Sequence, residues 1–150
     1  MKKNTYISNS ENDTKSFAKN LASKLQKGDI IVLTGDLGSG KTKFTEGFLS
    51  YFGLENEISS PTFTIVNEYH NNNTHICHFD VYRLNDIDEF YAIGGEEYFE
   101  KGIRIIEWGE IIENALPENY IKISFSRNSN EENKRILEIE TFGNKYDNLF

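Results

Sequence analysis

The sequence is poor in several residue types that restrict its function. It contains one cysteine, and it has no long apolar run without charges. A single cysteine excludes an internal disulfide and favours a reducing compartment. An apolar run of about 20 residues would be needed for a membrane-spanning helix, and the N-terminal M-K-K-N-T-Y-I-S-N-S lacks the apolar stretch of a signal peptide. We therefore expect a cytoplasmic protein with no direct membrane contact.

Basic residues are also few. The chain has 16 basic and 24 acidic residues, a formal charge of −8, and no basic cluster along its length. A protein that binds nucleic acid unaided needs basic side chains to neutralise phosphates, so this composition argues against direct binding. A chain of 150 residues can bury roughly 70% of its unfolded surface. No repeat or low-complexity linker divides it, and we expect one domain over residues 1–150.

A glycine-rich loop is the most informative segment. Residues 35–42 read G-D-L-G-S-G-K-T and match the phosphate-binding loop pattern G-x-x-x-x-G-K-[ST]. Residues 29–34 are mostly apolar and rich in β-branched side chains, as in a buried strand, and residues 43–51 have the apolar spacing of a helix. This strand, loop and helix form the context that the motif requires, so the segment predicts nucleotide binding.

The residue types in the loop explain the predicted chemistry. Gly35, Gly38 and Gly40 can adopt backbone angles that turn successive N–H groups toward an anion, and the following helix N-terminus adds a positive dipole end. Lys41 can reach the β- and γ-phosphates, and the Thr42 hydroxyl is placed to ligate the magnesium ion that bridges them. We therefore expect a magnesium-bound nucleotide at this loop.

The remaining segments predict a mixed sheet. Residues 63–69 and 75–82 alternate like strands around a polar turn and predict an antiparallel hairpin, and residues 120–126 and 135–141 predict a second. The predicted fold is an α/β, P-loop NTPase-like three-layer sandwich with a parallel core plus antiparallel hairpins. The other expected elements are helices at 11–26, 86–92, 96–100 and 109–116, and a buried strand at 103–106.

Two acidic residues follow predicted strands. Asp80 shares a strand face with His78, and Glu107 ends the apolar run 103–106. A carboxylate at the end of an apolar strand, downstream of a phosphate loop, is what a magnesium-bound nucleotide needs. We predict that Thr42 and Glu107 hold the magnesium ion while Asp80 orients or deprotonates the attacking water, although the two acidic roles can be exchanged.

Four motifs in this order resemble the TsaE family. They are G-D-L-G-S-G-K-T at 35–42, S-P-T-F-T at 60–64, H-F-D-V-Y-R-L at 78–84 and I-E-W at 106–108. The resemblance covers nearly the whole chain and implies a magnesium-dependent ATPase. The sequence marks none of the four arginines as facing phosphate, so we expect hydrolysis that is slow alone and stimulated by partners. It implies a role in forming threonylcarbamoyladenosine next to the tRNA anticodon, with TsaD and TsaB as partners and tRNA reached only through that complex.

The resemblance also implies roles for individual residues. Lys41, Asp80 and Glu107 are the expected catalytic residues, and Thr42 and Glu107 the magnesium ligands. Trp108 is expected beside the site, Thr62 in a switch-like segment, and a C-terminal basic contact between Arg127 and Arg135. The expected ATP contacts are Glu11, Leu37, Gly38, Ser39, Gly40, Lys41 and Thr42.

Two other functions are compatible with the same loop. A small-molecule kinase usually has a lid with several arginines, but this chain has four arginines in all and no obvious length for a lid. A non-catalytic nucleotide-binding adaptor would share every binding residue with an ATPase. Only hydrolysis, and its loss on replacement of Asp80 or Glu107, separates these two.

Two further patterns point to sites that we do not expect to be functional. Residues 144–147 read N-K-Y-D and match the guanine-reading pattern N-K-x-D, but the segment after Asp80 lacks the glycine of the accompanying D-x-x-G motif. His70, His75, His78 and Cys77 suggest zinc. Strand alternation places His75 with Cys77 and His78 on the opposite face, so we expect that these four do not converge on a metal.

Overall fold

The computed structural model describes residues 2–36, 38–57, 66–71, 73–80, 87–92, 94, 102–107, 109–128 and 130–150. Its strands form one seven-stranded sheet with the order β1-β7-β6-β2-β5-β4-β3. The four central strands β6, β2, β5 and β4 are mutually parallel, and the outer pairs are antiparallel. The predicted mixed sheet is therefore confirmed. The strands are β1 (Lys2–Ser8), β2 (Ile30–Thr34), β3 (Val66–His70), β4 (His75–Asp80), β5 (Ile103–Glu107), β6 (Tyr120–Asn128) and β7 (Glu131–Phe142).

Helices cover both faces of the sheet. Buried residues of α1 and α2 pack with Leu33 in the larger core, whereas Phe90 of α3 and Ile112 pack with Val32 in a second core on the other face. Because β2 contributes to both cores, all five of its residues are buried, and this explains its continuous apolar sequence. The three-layer arrangement is confirmed. The helical elements are α1 (Glu11–Ala22), α2 (Lys41–Tyr51), α3 (Ile87–Ala92) and the 3-10 segments Glu55–Glu57 and Gly109–Ala115.

The first helix begins where the sequence predicts but ends earlier. Ser10 caps its N-terminus by accepting a hydrogen bond from the backbone N–H of Asp13. The helix ends at Ala22 rather than near residue 26, because the chain then tightens into bonds from Lys24 N–H to Leu21 and from Leu25 N–H to Ala22. Leu25 remains buried, so its apolar spacing reflects burial in a turn rather than a further helical turn.

Two strand features differ from the sequence prediction. The N-terminal edge strand β1 was not predicted, because most of its side chains are exposed and show no apolar alternation. The hairpin of β6 and β7 extends beyond both predicted strands, and the added residues are largely polar and exposed. In both places main-chain pairing, rather than apolar burial, maintains the strand.

Several predicted features lie outside the described residues. These include the helical piece at 96–100, the segment 58–65 with Thr62, residues 81–86, and the single residues Leu37 and Trp108. In the part of the chain that is described, no helix is long and apolar enough to cross a membrane.

The N-K-Y-D tetrapeptide lies at the opposite end of β2 from the glycine-rich loop. Tyr146 donates its hydroxyl proton to Asp29 Oδ1 at 2.7 Å, and Lys145 Nζ lies 2.7 Å from the same oxygen. Asp29 is 2% exposed and immediately precedes β2, whereas the loop follows Thr34 at the other end of that strand. These residues therefore secure the entry into β2, at the end of that strand away from the loop.

Replacing Tyr146 with phenylalanine should lower stability in a pH-dependent way. Burial, the hydrogen bond to Asp29 and the charge of Asp29 raise the pKa of Tyr146 above its ordinary value. The folded state therefore favours the protonated phenol of Tyr146. The stabilisation of the fold by this group is complete below about pH 10, the pKa of the phenol in the unfolded chain, and is lost as the pH rises above that value. We expect Tyr146→Phe to lower the free energy of unfolding by about 1–2 kcal/mol at neutral pH. The free energy of unfolding should also fall less steeply above about pH 10 in this variant than in the wild-type chain.

Urea unfolding at several pH values between about pH 7 and pH 11 measures both effects. Tyr51→Phe is the matched control, because Tyr51 is 47% exposed and its replacement should change little. A Tyr146→Phe variant with the stability and pH profile of the wild-type chain would show that this hydrogen bond contributes nothing to the fold.

Candidate functional site

The glycine-rich loop connects the end of β2 to the start of α2 and depends on its glycines. Gly35, Gly38 and Gly40 have φ values of 143°, 79° and 113°, in the region that favours glycine. A Cβ atom at Gly35 would lie 2.8 Å from the carbonyl oxygen of Phe125, and one at Gly38 would lie 2.7 Å from Arg127 Nη2. Both conformation and close contacts therefore require glycine in this loop.

Polar groups in the loop are suited to an anion. The Ser39 hydroxyl is buried and has no hydrogen-bond partner among the described residues. Gly40 is the N-cap of α2 and has no side chain to accept from the first-turn N–H groups. An unpaired buried donor and an uncapped helix N-terminus in one loop fit a phosphate group, which would supply the acceptors that both lack.

Lys41 is held across this loop. Its Nζ donates a hydrogen bond to the carbonyl oxygen of Gly35 at 2.7 Å and lies 3.8 Å from Glu107 Oε1. The side chains of Lys41 and Glu107 are 7% and 12% exposed. The cation predicted to contact phosphates is therefore positioned over the loop by a backbone carbonyl and by the carboxylate that ends β5.

His78 is a site residue to which the sequence analysis gave no role. Its Nε2 lies 2.6 Å from Glu107 Oε2, and its ring is 3% exposed. His78 and Glu107 lie on the neighbouring strands β4 and β5, on the same face of the sheet as α2. Because one carboxylate oxygen faces His78 and the other faces Lys41, the orientation of Glu107 is fixed from two sides.

Asp80 lies beside Glu107 in the structure. The two residues are register partners at the carboxyl ends of the parallel strands β4 and β5. Neighbouring strands are about 4.8 Å apart, so the two acidic side chains are close to each other. Both lie at the carboxyl ends of the central strands, where the glycine-rich loop also starts. Asp80 is half-buried and Glu107 buried, so Asp80 is the more accessible of the two to water.

The structure also places two arginines at the loop. Arg127 Nη2 donates to the carbonyl oxygen of Gly38 at 2.7 Å. Arg135 is the register partner of Arg127 on β7, and its Cγ would lie 3.8 Å from a Cβ at Gly40. The sequence placed a basic contact between these two positions without choosing one. In the structure both ends of that range lie against the loop, and Arg127 bonds to it directly.

The other predicted site residues are less closely tied to the loop. Thr42 is exposed in the first turn of α2, next to Lys41. Glu11 begins α1, and its carboxylate lies 3.9 Å from Lys43 Nζ, in an ion pair that is largely exposed. Leu37 and Trp108 lie outside the described residues. The structure thus brings Lys41 and Glu107 into contact, places Asp80 beside Glu107 on the neighbouring strand, and pairs Glu11 with Lys43 of α2.

Comparison with known proteins gives one consistent result. The family model described as "Threonylcarbamoyl adenosine biosynthesis protein TsaE" matches residues 8–136. Similar proteins named "tRNA threonylcarbamoyladenosine biosynthesis protein TsaE" include one from Bacillus subtilis (strain 168), 39% identical over 91% of this chain and 85% of the relative. One from Rickettsia conorii is 42% identical over 89% of this chain and 75% of the relative. The crystal structure of Bacillus subtilis YdiB matches with a TM-score of 0.78 and 33% identity, over 97% of this chain and 90% of that chain.

Proposed function

The chain belongs to the TsaE family, and on this premise we propose that it is the ATP-binding and ATP-hydrolysing subunit of the machinery that forms threonylcarbamoyladenosine next to the tRNA anticodon. The main support is the position of Lys41, which the loop carbonyl of Gly35 and the strand-end carboxylate of Glu107 hold over a phosphate-binding loop. The names of its relatives support the pathway, and the loop geometry supports the nucleotide.

The loop would hold the phosphates of ATP. The Ser39 hydroxyl, which no described residue engages, and the N–H groups at the start of α2 would donate to phosphate oxygens. Lys41 would approach as a point charge. In the structure, Lys41 interacts with the carbonyl of Gly35 and with Glu107. A bound phosphate would therefore compete with these two groups for the Lys41 ammonium. Nucleotide binding should therefore be coupled to the position of Glu107.

Glu107 and Thr42 would hold a magnesium ion. When bound, this ion would supply positive charge that neutralises the charge developing on the phosphates. The protein's contribution is orientation: His78 fixes one oxygen of Glu107 at 2.6 Å, which keeps the carboxylate turned toward the loop. Asp80, the more accessible neighbouring acid, would orient or deprotonate the attacking water.

Arg127 offers a positive charge within the same chain. It bonds to the Gly38 carbonyl at 2.7 Å, and its side chain is exposed, so it can turn toward a phosphate. Arg104, by contrast, is buried and donates to the carbonyl of Gly28 at the other end of β2. With one exposed arginine bonded to the loop, we propose slow hydrolysis by the chain alone and stimulation by TsaB and TsaD. We further propose that tRNA is reached through that complex.

A non-catalytic adaptor remains the alternative, because it would use the same binding residues. The arrangement of Asp80 beside Glu107 favours hydrolysis, since a site that only binds nucleotide needs no second acid at the strand ends. No contact among the described residues specifically favours a small-molecule kinase.

ATP hydrolysis by the purified chain, measured alone and with TsaB and TsaD, tests this proposal. We expect slow magnesium-dependent hydrolysis that rises at least about tenfold with the partners, because they would complete the stabilisation of transition-state charge. Glu107→Ala should remove this stimulated activity, since it deletes the proposed magnesium ligand and the group that faces Lys41.

Glu113→Ala is the matched control, because Glu113 is an exposed acid of the 3-10 segment after β5. It should hydrolyse ATP at the wild-type rate. Tight ATP binding without hydrolysis under either condition would instead support the adaptor. Full activity in Glu107→Ala would reduce Glu107 to a structural partner of His78.

A further inference from the structure

The hairpin of β3 and β4 gathers four potential metal ligands on one face. Glu68 is the register partner of Cys77, and His70 is the register partner of His75. Because side chains alternate along a strand, these residues point to the face opposite His78. The expected separation of His78 from His75 and Cys77 is confirmed, but the sequence analysis did not consider Glu68, which lies directly across from Cys77.

Three of these side chains converge. His75 Nε2 lies 3.1 Å from Glu68 Oε1 and 3.7 Å from Cys77 Sγ, and the three ligand atoms all lie within 4.8 Å of one another. In a tetrahedral zinc site, with Zn–S of about 2.3 Å and Zn–N or Zn–O of about 2.0–2.1 Å, ligand atoms are about 3.3–3.6 Å apart. The two separations from His75 Nε2 are close to those of a formed site, and side-chain rotations that bring the Glu68 carboxylate and Cys77 Sγ from within 4.8 Å into the same range would complete it.

We propose that Glu68, His75 and Cys77 bind a zinc ion, with the fourth position open to water. A thiolate, an imidazole and a carboxylate are the three ligand types that zinc accepts in proteins, whereas magnesium and calcium prefer oxygen ligands alone. Binding would release the thiol proton of Cys77 to solvent, and His75 would coordinate through Nε2 while its remaining ring proton lies on Nδ1.

The burial of the three ligands suits entry of an ion from one side. The side chains of Glu68 and His75 are 40% and 32% exposed, whereas Cys77 is fully buried behind them. The ion would therefore enter from solvent between the carboxylate and the imidazole. The thiolate beneath would close the site toward the second core.

The local backbone holds these residues in place. Asn71 Oδ1 accepts bonds from the N–H groups of Asn73 and Thr74, and Asn71 Nδ2 donates to the carbonyl of Phe52 after α2. These bonds fix the turn of the hairpin and therefore the register of its two strands. Site geometry is thus largely formed before any ion binds, which reduces the cost of ordering on binding.

A bound ion would join the edge strand to the sheet. Among the described strands, β3 is outermost and pairs with β4 alone, so the ion would add a second connection between these two strands. The same strand β4 presents His78 and Asp80 to the phosphate loop from its other face. Zinc would therefore stabilise the strand on which two residues of the nucleotide site lie, although the ion itself would remain distant from the nucleotide.

Zinc titration of the chain, without nucleotide or magnesium, tests the proposal. We expect one zinc ion per chain, measured by competition with a chromophoric chelator, and we expect cobalt(II) to give a thiolate-to-cobalt absorption band. Cys77→Ser should weaken zinc binding at least about 100-fold and remove this band, and Glu68→Gln should weaken binding about tenfold or more. At a zinc concentration of about 100 times the dissociation constant, the unfolding equilibrium constant should fall about 100-fold.

Glu131→Gln is the matched control, because Glu131 is an exposed acid at the start of β7. It should bind zinc as the wild-type chain does. Should Cys77→Ser fail to fold, Glu68→Gln decides the question, since the Glu68 side chain is 40% exposed and its replacement leaves the core intact. Wild-type zinc affinity in Glu68→Gln and His75→Asn, or a cobalt complex without the thiolate band, would overturn the proposal and place any bound ion elsewhere.

Discussion

Replacing Lys41 with alanine should lower the proposed ATP hydrolysis by about 10²–10³-fold, the range measured when one positioned electrostatic donor is removed from an active site. The amine is 2.7 Å from the carbonyl of Gly35 and 3.8 Å from Glu107, in a setting with little solvent exposure. Its charge is therefore weakly screened at the point where phosphate charge would develop. The nearby Arg127 is exposed and bonded to Gly38, so it cannot fully replace this charge.

The same replacement should affect ATP affinity less than turnover. The Ser39 hydroxyl and the N-terminus of α2 would still contact phosphate oxygens, whereas the interaction that strengthens as charge develops would be lost. Lys41→Ala would also leave the carboxylate of Glu107 facing His78 alone. We therefore expect slower hydrolysis together with a small loss of stability, and Lys41→Arg should recover part of the stability.

Single-turnover hydrolysis and equilibrium ATP binding separate these effects, and thermal unfolding reports the stability. Lys15→Ala is the control, because Lys15 lies on α1 and pairs with Glu46 at 3.3 Å, away from the loop. Its hydrolysis rate should equal that of the wild-type chain. An equal loss of ATP affinity and turnover in Lys41→Ala would instead assign Lys41 to ground-state binding.

The parts of the structure that follow local sequence rules could be predicted. The strand before the loop, the loop and α2 are consecutive in the chain, and their glycine and apolar patterns depend on nearby residues alone. Asp80 and Glu107 could each be assigned to the site, because each ends a predicted strand and the carboxyl ends of parallel strands lie at the edge of the sheet where ligands bind. For these elements, the sequence pattern and the tertiary structure agree.

Contacts between distant segments could not be predicted in this way. Arg127 reaches Gly38 only because β6 pairs with β2, and the strand order of the sheet is not written in any local pattern. His78 acquires its partner through the pairing of β4 with β5. Glu68 meets Cys77 through the register of a hairpin whose turn the sequence located only by composition. Each of these residues has a local pattern that fits an ordinary strand position equally well.

Replacing Gly47 with alanine should destabilise the protein by about 2 kcal/mol or more, although the same change in an ordinary helix stabilises by about 1 kcal/mol. Gly47 is buried in α2, and a Cβ atom there would lie 2.4 Å from the carbonyl oxygen and 2.5 Å from the Cα of Lys15. Both are backbone atoms of α1, so no side-chain rotation can relieve the overlap. The two helices would have to separate, which would open the core between them.

Urea and thermal unfolding measure this effect, with a decrease in melting temperature of about 4–8 °C expected for a chain of this length. Ser16→Ala is the control, because Ser16 is exposed on α1 beside Lys15 and gains helix propensity without a clash. Unchanged or higher stability in Gly47→Ala would mean that α1 and α2 can move apart without cost.

Lys41 lies at the N-terminus of α2 and Gly47 in its interior, so the displacement would also tilt the phosphate loop. Saturating ATP should then stabilise Gly47→Ala less than the wild-type chain, since ligand stabilisation depends on the affinity that the folded loop retains.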